Sequence, residues 1–292
     1  MKKLVIASAV ASALLAGAAV ADTTVYGRAN AVMQLKDNAN GIVNNGSRIG
    51  FKGTEDLGNG MSALYHFEMG YDLDENDGAA TSTRIGLVGL TGDFGTVLLG
   101  HTWAPVYTLV TSAYDPFNWF GHKATAKAGM SGRHGNVAAY DNTFGDVHLQ
   151  VAILSDDTTD EIQDGLNFAI NVPVGPVALG VGIHNDEASG ESATAVSVAY
   201  DGGSFDAYLG YEASEDLAVV GGDNILSVGA NFGVGSGTFM ARISQYDNAD
   251  ASVATVGYTH NLSKRTSAYV EFENEDNGKG GDSSVIGLKH NF

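Results

Sequence analysis

Residues 24–36 read TVYGRANAVMQLK, and they separate into two faces when every second residue is grouped. Val25, Gly27, Ala29, Ala31, Met33 and Leu35 fall on one side, while Thr24, Tyr26, Arg28, Asn30, Gln34 and Lys36 fall on the other. A period of two is the signature of a strand with one apolar and one polar face. Residues 47–57 repeat it, with Ile49, Phe51 and Leu57 opposite Arg48, Lys52, Thr54 and Asp56. Residues 61–72 set Met61, Ala63, Tyr65, Phe67, Met69 and Tyr71 against Ser62, His66, Glu68 and Asp72, after the turn signal Gly58-Asn59-Gly60.

The same reading predicts strands at 81–91, 96–105, 132–142, 147–156, 163–173, 177–186, 191–201, 205–214, 224–233, 237–247, 251–261, 267–276 and 283–292, sixteen in all. Their lengths are close to the roughly 9–11 residues that a tilted strand needs to cross a bilayer. The connections alternate in kind. One set is terse (58–60, 92–95, 143–146, 174–176, 202–204, 234–236 and 262–266), whereas the other (37–46, 73–80, 106–131, 157–162, 187–190, 215–223, 248–250 and 277–282) is mostly longer and, with its flanks, acidic. Short turns on one rim and long loops on the other are expected of a membrane barrel.

The ends and the composition agree with export. Residues 1–21 carry Lys2 and Lys3, an apolar run and Ala19-Val20-Ala21, as a secretory leader would, which leaves 22–292 as one barrel domain. No later stretch offers the 18 or so apolar residues of a membrane helix, so any crossing must be made by strands. Cysteine is absent, which removes thiol chemistry. Without Lys2 and Lys3, 13 basic residues face 34 acidic ones, a formal charge of −21 that excludes a nucleic-acid partner and leans weakly toward cations.

The direction of the faces follows from cost. A packed interior would have to bury Arg28, Arg48, Lys52, Arg84, Glu68 and Asp72 in pairs, at several kcal/mol of desolvation per ion. The polar face therefore lines water and the apolar face meets lipid. Sixteen strands enclose an aqueous lumen, whereas about eight are filled by their own side chains.

Residues 106–130, VYTLVTSAYDPFNWFGHKATAKAGM, are the long exception to the alternation, flanked by Pro105 and containing Pro116. They are expected to fold into the barrel and narrow it.

Several pieces together resemble the general diffusion porins of the Gram-negative outer membrane. They are Val25-Tyr26-Gly27-Arg28-Ala29, Ser47-Arg48-Ile49-Gly50-Phe51-Lys52-Gly53, Thr83-Arg84-Ile85-Gly86-Leu87-Val88-Gly89-Leu90, Gly132-Arg133 running into Val137-Ala138-Ala139-Tyr140, and the terminal Phe292. The resemblance implies a homotrimer of sixteen-stranded antiparallel barrels among outer-membrane lipids, passing ions and small hydrophilic solutes passively and without a cofactor. It also implies that Arg28, Arg48, Arg84 and Arg133 form a basic wall at the constriction, opposite acids on an inward-folded third external loop. The loop departs from the family's pattern of Pro-Glu-Phe followed by glycines. It reads Tyr114-Asp115-Pro116-Phe117-Asn118-Trp119-Phe120-Gly121, with Asp115 the only acid in 106–130 and Lys123 and Lys127 after it. Asp115, Pro116, Phe117, Asn118 and Trp119 are the candidate constriction residues, with the aromatics expected to pin the loop to the wall or to reach a neighbouring subunit.

Two other classes compete: a barrel enzyme, and a surface adhesin or receptor. The eight histidines are scattered singly, and no G-x-S-x-G, H-E-x-x-H or Walker A sequence occurs. The acids at 156–161 lack the spacing of a dedicated calcium loop, so no metal is expected.

Overall fold

The computed structural model describes residues 22–36, 40–73, 81–121, 132–155, 163–187, 190–215, 224–247, 251–276 and 282–292. Residues 1–21, expected to be a leader, together with Lys123, Lys127 and the acids at 156–161, lie outside them. The strands are β1 Asp22–Lys36, β2 Gly41–Asn44, β3 Arg48–Gly58, β4 Met61–Tyr71, β5 Thr81–Gly92, β6 Gly95–Trp103, β7 Arg133–Phe144, β8 Val147–Leu154 and β9 Gly165–Val174. They continue as β10 Val177–Asp186, β11 Glu191–Asp201, β12 Phe205–Glu215, β13 Ile225–Val234, β14 Gly237–Tyr246, β15 Ala251–Asn261, β16 Thr266–Glu275 and β17 Ser283–Asn291. Between β6 and β7 lie a short helix, α1 (Pro105–Leu109), and a 3-10 turn at Thr111–Tyr114.

From β3 onward each strand pairs antiparallel with the next, and β17 returns to pair with β1 from Arg28↔Asn291 to Lys36↔Ser283. That seam closes the sheet. Gly27 and Phe292 exchange backbone hydrogen bonds of 2.9 and 3.0 Å beside it. A Cβ on Gly27 would lie 2.2 Å from the Phe292 ring, so only glycine leaves room for the terminal aromatic there.

β2 and β3 both pair with β1, at Ala31↔Asn44 to Gln34↔Gly41 and at Asp22↔Thr54 to Arg28↔Arg48. They are one stave with an interruption, and the barrel has sixteen. The interruption has a local cause. Ser47 Oγ accepts from Asn30 N at 2.9 Å and donates to Asn30 O at 3.1 Å, so a side chain replaces the ladder at that point.

Two readings need correction. Residues 41–44 were expected in a loop and form β2, because Ile42-Val43 is too short a run to show a period. The strand expected at 96–105 ends at Trp103, because Pro105 has no N–H for the ladder and starts α1 instead.

The burial pattern is inverted relative to a soluble protein. Val25, Leu99, Val181, Val228, Ile243 and Leu288 stand exposed, while Asn30, Glu68, Asn167, Arg242, Glu271 and Glu273 are buried. An apolar surface running round the whole sheet is tenable only against lipid. Phe94, Phe144, Phe205, Phe232, Phe239 and Phe292 are exposed at or near the short-turn rim or the chain end, where an interfacial aromatic girdle belongs. The terse turns are tight. Val174↔Val177 and Val234↔Gly237 close two-residue hairpins, with Gly175 and Gly235 at φ of +61° and +60°.

Replacing Val181 by Arg near the middle of β10 places a charge on the lipid face. It should destabilise the barrel by about 2–4 kcal/mol in equilibrium unfolding from lipid vesicles. A value near zero would put this face on the water side.

Candidate functional site

The basic wall is built by strand parity. Arg28 on β1, Arg48 at the start of β3, Arg84 on β5 and Arg133 at the start of β7 all leave their strands toward the polar side. Arg28 and Arg48 are direct cross-strand neighbours, an arrangement of like charges that needs compensation. Glu68 on β4 supplies it. Its carboxylate accepts from Arg84 Nε at 2.7 Å, lies 3.5 Å from Arg48 Nε, and accepts the Tyr26 hydroxyl at 2.8 Å. Arg28 donates instead to Asn291 Oδ1 at 3.0 Å. Arg133 places its guanidinium 4.3 Å from the centre of the Trp103 ring, and Trp103 stacks on Tyr107 at 4.6 Å. One acid among four arginines holds two of them without neutralising the set.

The segment 104–121 is tied to the polar faces of the far strands. Val106, Leu109 and Val110 pack on Ala169, Ala193 and Ala195 of β9 and β11. The wall is small where the segment lies close. A Cβ on Gly182 would fall 2.8 Å from Val106, and one on Gly210 would fall 2.4 Å from the Tyr114 ring. Tyr114 donates to Glu212 on β12 at 2.9 Å.

Beyond it, the turn at 115–121 is held by two opposite charges. The Glu271 carboxylate on β16 accepts the backbone N–H groups of Asn118, Trp119 and Phe120 at 2.6, 2.9 and 3.2 Å. Arg242 on β14 donates to the carbonyls of Phe120, Gly121 and Tyr114 at 2.7, 2.9 and 3.3 Å, and its guanidinium lies 5.1 Å from the Phe117 ring centre. Lys289 on β17 donates to Asn118 Oδ1 at 2.6 Å. Phe120, with Trp119 against it, fills a cluster with Val32, Tyr269 and Val285.

Wall and segment face one another across a cavity of about 450 Å³. Arg28, Arg48, Arg84, Arg133, Asp115, Phe117, Asn118 and Trp119 all line it, together with Trp103 and Tyr107. Of the candidates, only Pro116 is outside the lining. Tyr107 donates its hydroxyl to Asp115 Oδ2 at 3.5 Å, and burial together with the Asp115 charge pushes that hydroxyl up to about 12. The phenol therefore stays a donor at neutral pH.

Sequence reasoning missed Glu271, Arg242, Glu212 and Lys289, which hold the segment, and Asn167 on β9, whose Oδ1 accepts the Val106 N–H at 2.9 Å. A usable signal existed. Val32 and Val285 are apolar residues at polar-face parity, and both turn out to lie under Phe120. Oil on the wet side of a strand marks where something docks.

A closed sheet with lipid-facing oil and a charged interior defines a membrane-spanning channel. The chain belongs to the Gram-negative porin family, whose profile it matches over residues 7–280. It is 30% identical over 331 aligned residues to outer membrane porin protein 32 of Delftia acidovorans, covering 99% of this chain and 93% of that one. Among solved structures it resembles the anion-selective porin from Comamonas acidovorans, with a TM-score of 0.78 and 23% identity over 93% of this chain and all of that one. It also resembles the trimer form of OmpT, an outer membrane protein of Vibrio cholerae, at a TM-score of 0.74 and 14% identity over 93% and 99% of the two chains. At these identities the structural likenesses show the fold alone. Family membership sets the function as passive diffusion of solutes through a channel in the outer membrane, and it points away from an enzyme.

Hydrogen bonds to a charged partner contribute about 1.5–3 kcal/mol each, so losing the carboxylate that gathers three N–H groups should free the turn. Replacing Glu271 by Ala is expected to speed amide exchange at 118–120 by about tenfold or more, with the barrel still heat-resistant in detergent. Unchanged exchange would mean that other contacts hold the turn.

Proposed function

We propose that the arginine wall and the segment 104–121 together form the selectivity aperture of this porin, and that the aperture favours small hydrophilic anions. What carries the reading is the single cavity lined by Arg28, Arg48, Arg84 and Arg133 on one side and by Asp115, Phe117, Asn118 and Trp119 on the other. Pro116 serves only to turn the chain between Asp115 and Phe117.

The physics is local. The chain as a whole is acidic, which on its own favours cations, but much of that acid falls in the sequence between the strands, away from the four arginines. Screening limits a fixed charge to about 10 Å at 0.1 M salt, so the groups at the narrowing decide. There, four guanidiniums are opposed by Glu68, which is committed to Arg48 and Arg84, and by Asp115. An anion passing the wall exchanges part of its hydration for guanidinium donors. A cation meets the same positive potential as a barrier. Uncharged solutes are screened by size alone.

The remaining parts of the reading concern assembly. Residues 1–21 direct export and are removed, and residues 22–292 form the barrel. Three copies associate, a reading supported by the fold shared with a protein solved in trimer form.

Two outcomes test the aperture. Replacing Arg48 and Arg84 together by Ser should lower the anion-to-cation permeability ratio by about tenfold or more in planar bilayers. That factor needs only ~1.4 kcal/mol, against ~4 kcal/mol for one unit charge at 4 Å in an effective dielectric of 20. Unchanged reversal potentials would remove both residues from the conducting path. Deleting residues 112–121 should raise the size limit for sugars in liposome swelling, and unaltered sugar permeation would place the segment away from the path.

A further inference from the structure

The root of the segment carries a buried polar relay that the aperture does not use. α1 begins at Pro105, and Ala104 before it offers no side-chain cap. The Val106 N–H has no partner within its own helix. It donates instead across the lumen side to Asn167 Oδ1 on β9 at 2.9 Å, with both residues at 0% exposure.

A backbone N–H can only donate, so Asn167 must present its oxygen there and its amide NH2 elsewhere. Nδ2 lies 3.1 Å from His184 Nδ1 on β10, which must therefore accept. The imidazole is thus the neutral tautomer with its proton on Nε2. It is 1% exposed, and Nε2 has no hydrogen-bond partner among the described residues.

We propose that His184 is an acid sensor for the constriction segment. A proton arriving at Nδ1 turns that atom into a donor facing the Asn167 NH2. The amide has one remedy, which is to turn over and offer its oxygen to the imidazolium. It then presents NH2 to the Val106 N–H, and the start of α1 loses its acceptor. The relay cannot satisfy the charged imidazole and the helix start together.

The surroundings set the ease of protonation. Burial is the largest obstacle to the proton; the His134 ring on β7, stacked on His184 at 5.4 Å, opposes it further, and Asp186 on the same strand favours it. β9 contributes Asn167, β11 places Ala193 opposite, and α1 presents Val106; none of these three titrates.

The inference requires that the root of the segment influences conduction, and two readouts keep that requirement separate. The first is amide exchange at Val106 in the full-length protein in vesicles. Between about pH 7 and about pH 3, a range that reaches below ordinary histidine titration because burial resists the charge, exchange corrected for its intrinsic pH dependence should become about tenfold faster. The second is single-channel recording, in which brief closures should become more frequent over the same range.

His184→Gln should abolish both responses. Asn167→Asp should abolish them as well, because a carboxylate accepts from the Val106 N–H and from an Nδ1–H that one neutral tautomer carries as well as the imidazolium. A pH-dependent exchange at Val106 without any change in closures would show the sensor but deny the segment its place in the conducting path. Exchange that follows pH alike in the native protein and in both variants would overturn the sensor.

Discussion

Lipid offers no hydrogen-bond partner, and this one constraint organises the molecule. A sheet in a membrane cannot keep an edge, because each unpaired N–H or C=O in hydrocarbon costs several kcal/mol. The β1–β17 seam removes the last edge, and its nine register pairs are completed by the Gly27–Phe292 exchange. Once the ring is closed, strand alternation dictates the rest. One set of side chains must be oil for the bilayer, and the other set is free to be polar.

That freedom creates a second problem, since an empty sixteen-stranded ring is wide. The lumen is narrowed by chain that is neither strand nor lipid-facing, and such chain needs partners for its own backbone. Here the partners are charges on the wall. Glu271 collects N–H groups and the two terminal nitrogens of Arg242 collect carbonyls from the same turn, so each buried ion draws its partners from the peptide it positions, although Arg242 Nε has none among the described residues. Glycine and alanine on the far strands provide the clearance, and Tyr114 with Glu212 fixes the midpoint. Under the aperture proposed above, that anchoring is what would let fixed arginines act on passing solutes.

Much of this was legible in the residues. Strand positions, sixteen staves and the direction of the faces follow from parity and turn spacing, because both report backbone geometry directly; the four arginines were singled out by the family resemblance, with parity agreeing for Arg28, Arg48 and Arg84. Other features were hidden for physical reasons. β2 is too short to show a period, and it sits beside a place where Ser47 imitates a ladder bond. The anchors of the segment are long-range: Asn118 and Glu271 are 153 residues apart, and no local pattern couples them. The lean toward cations rests on net charge, a property of the whole chain, whereas the proposed preference for anions rests on the few groups within a screening length of the cavity. The expectation that the aromatics pin the loop holds for Phe120 and for the Trp119 beside it, whose neighbours are wall residues.

The absence of native cysteine allows a direct test of the segment's position. A Cβ built on Gly182 lies 3.2 Å from the Val106 Cβ, within a few tenths of an ångström of the roughly 3.5–4.5 Å that a disulfide spans. The measurement is single-channel conductance of the Val106→Cys, Gly182→Cys double variant before and after oxidation. A segment that already rests on the wall predicts rapid, near-complete linkage with the conductance of the reduced channel retained. Cysteines that stay unlinked, or a link that forms only with a large change in conductance, would contradict a docked segment as the narrowing of this channel.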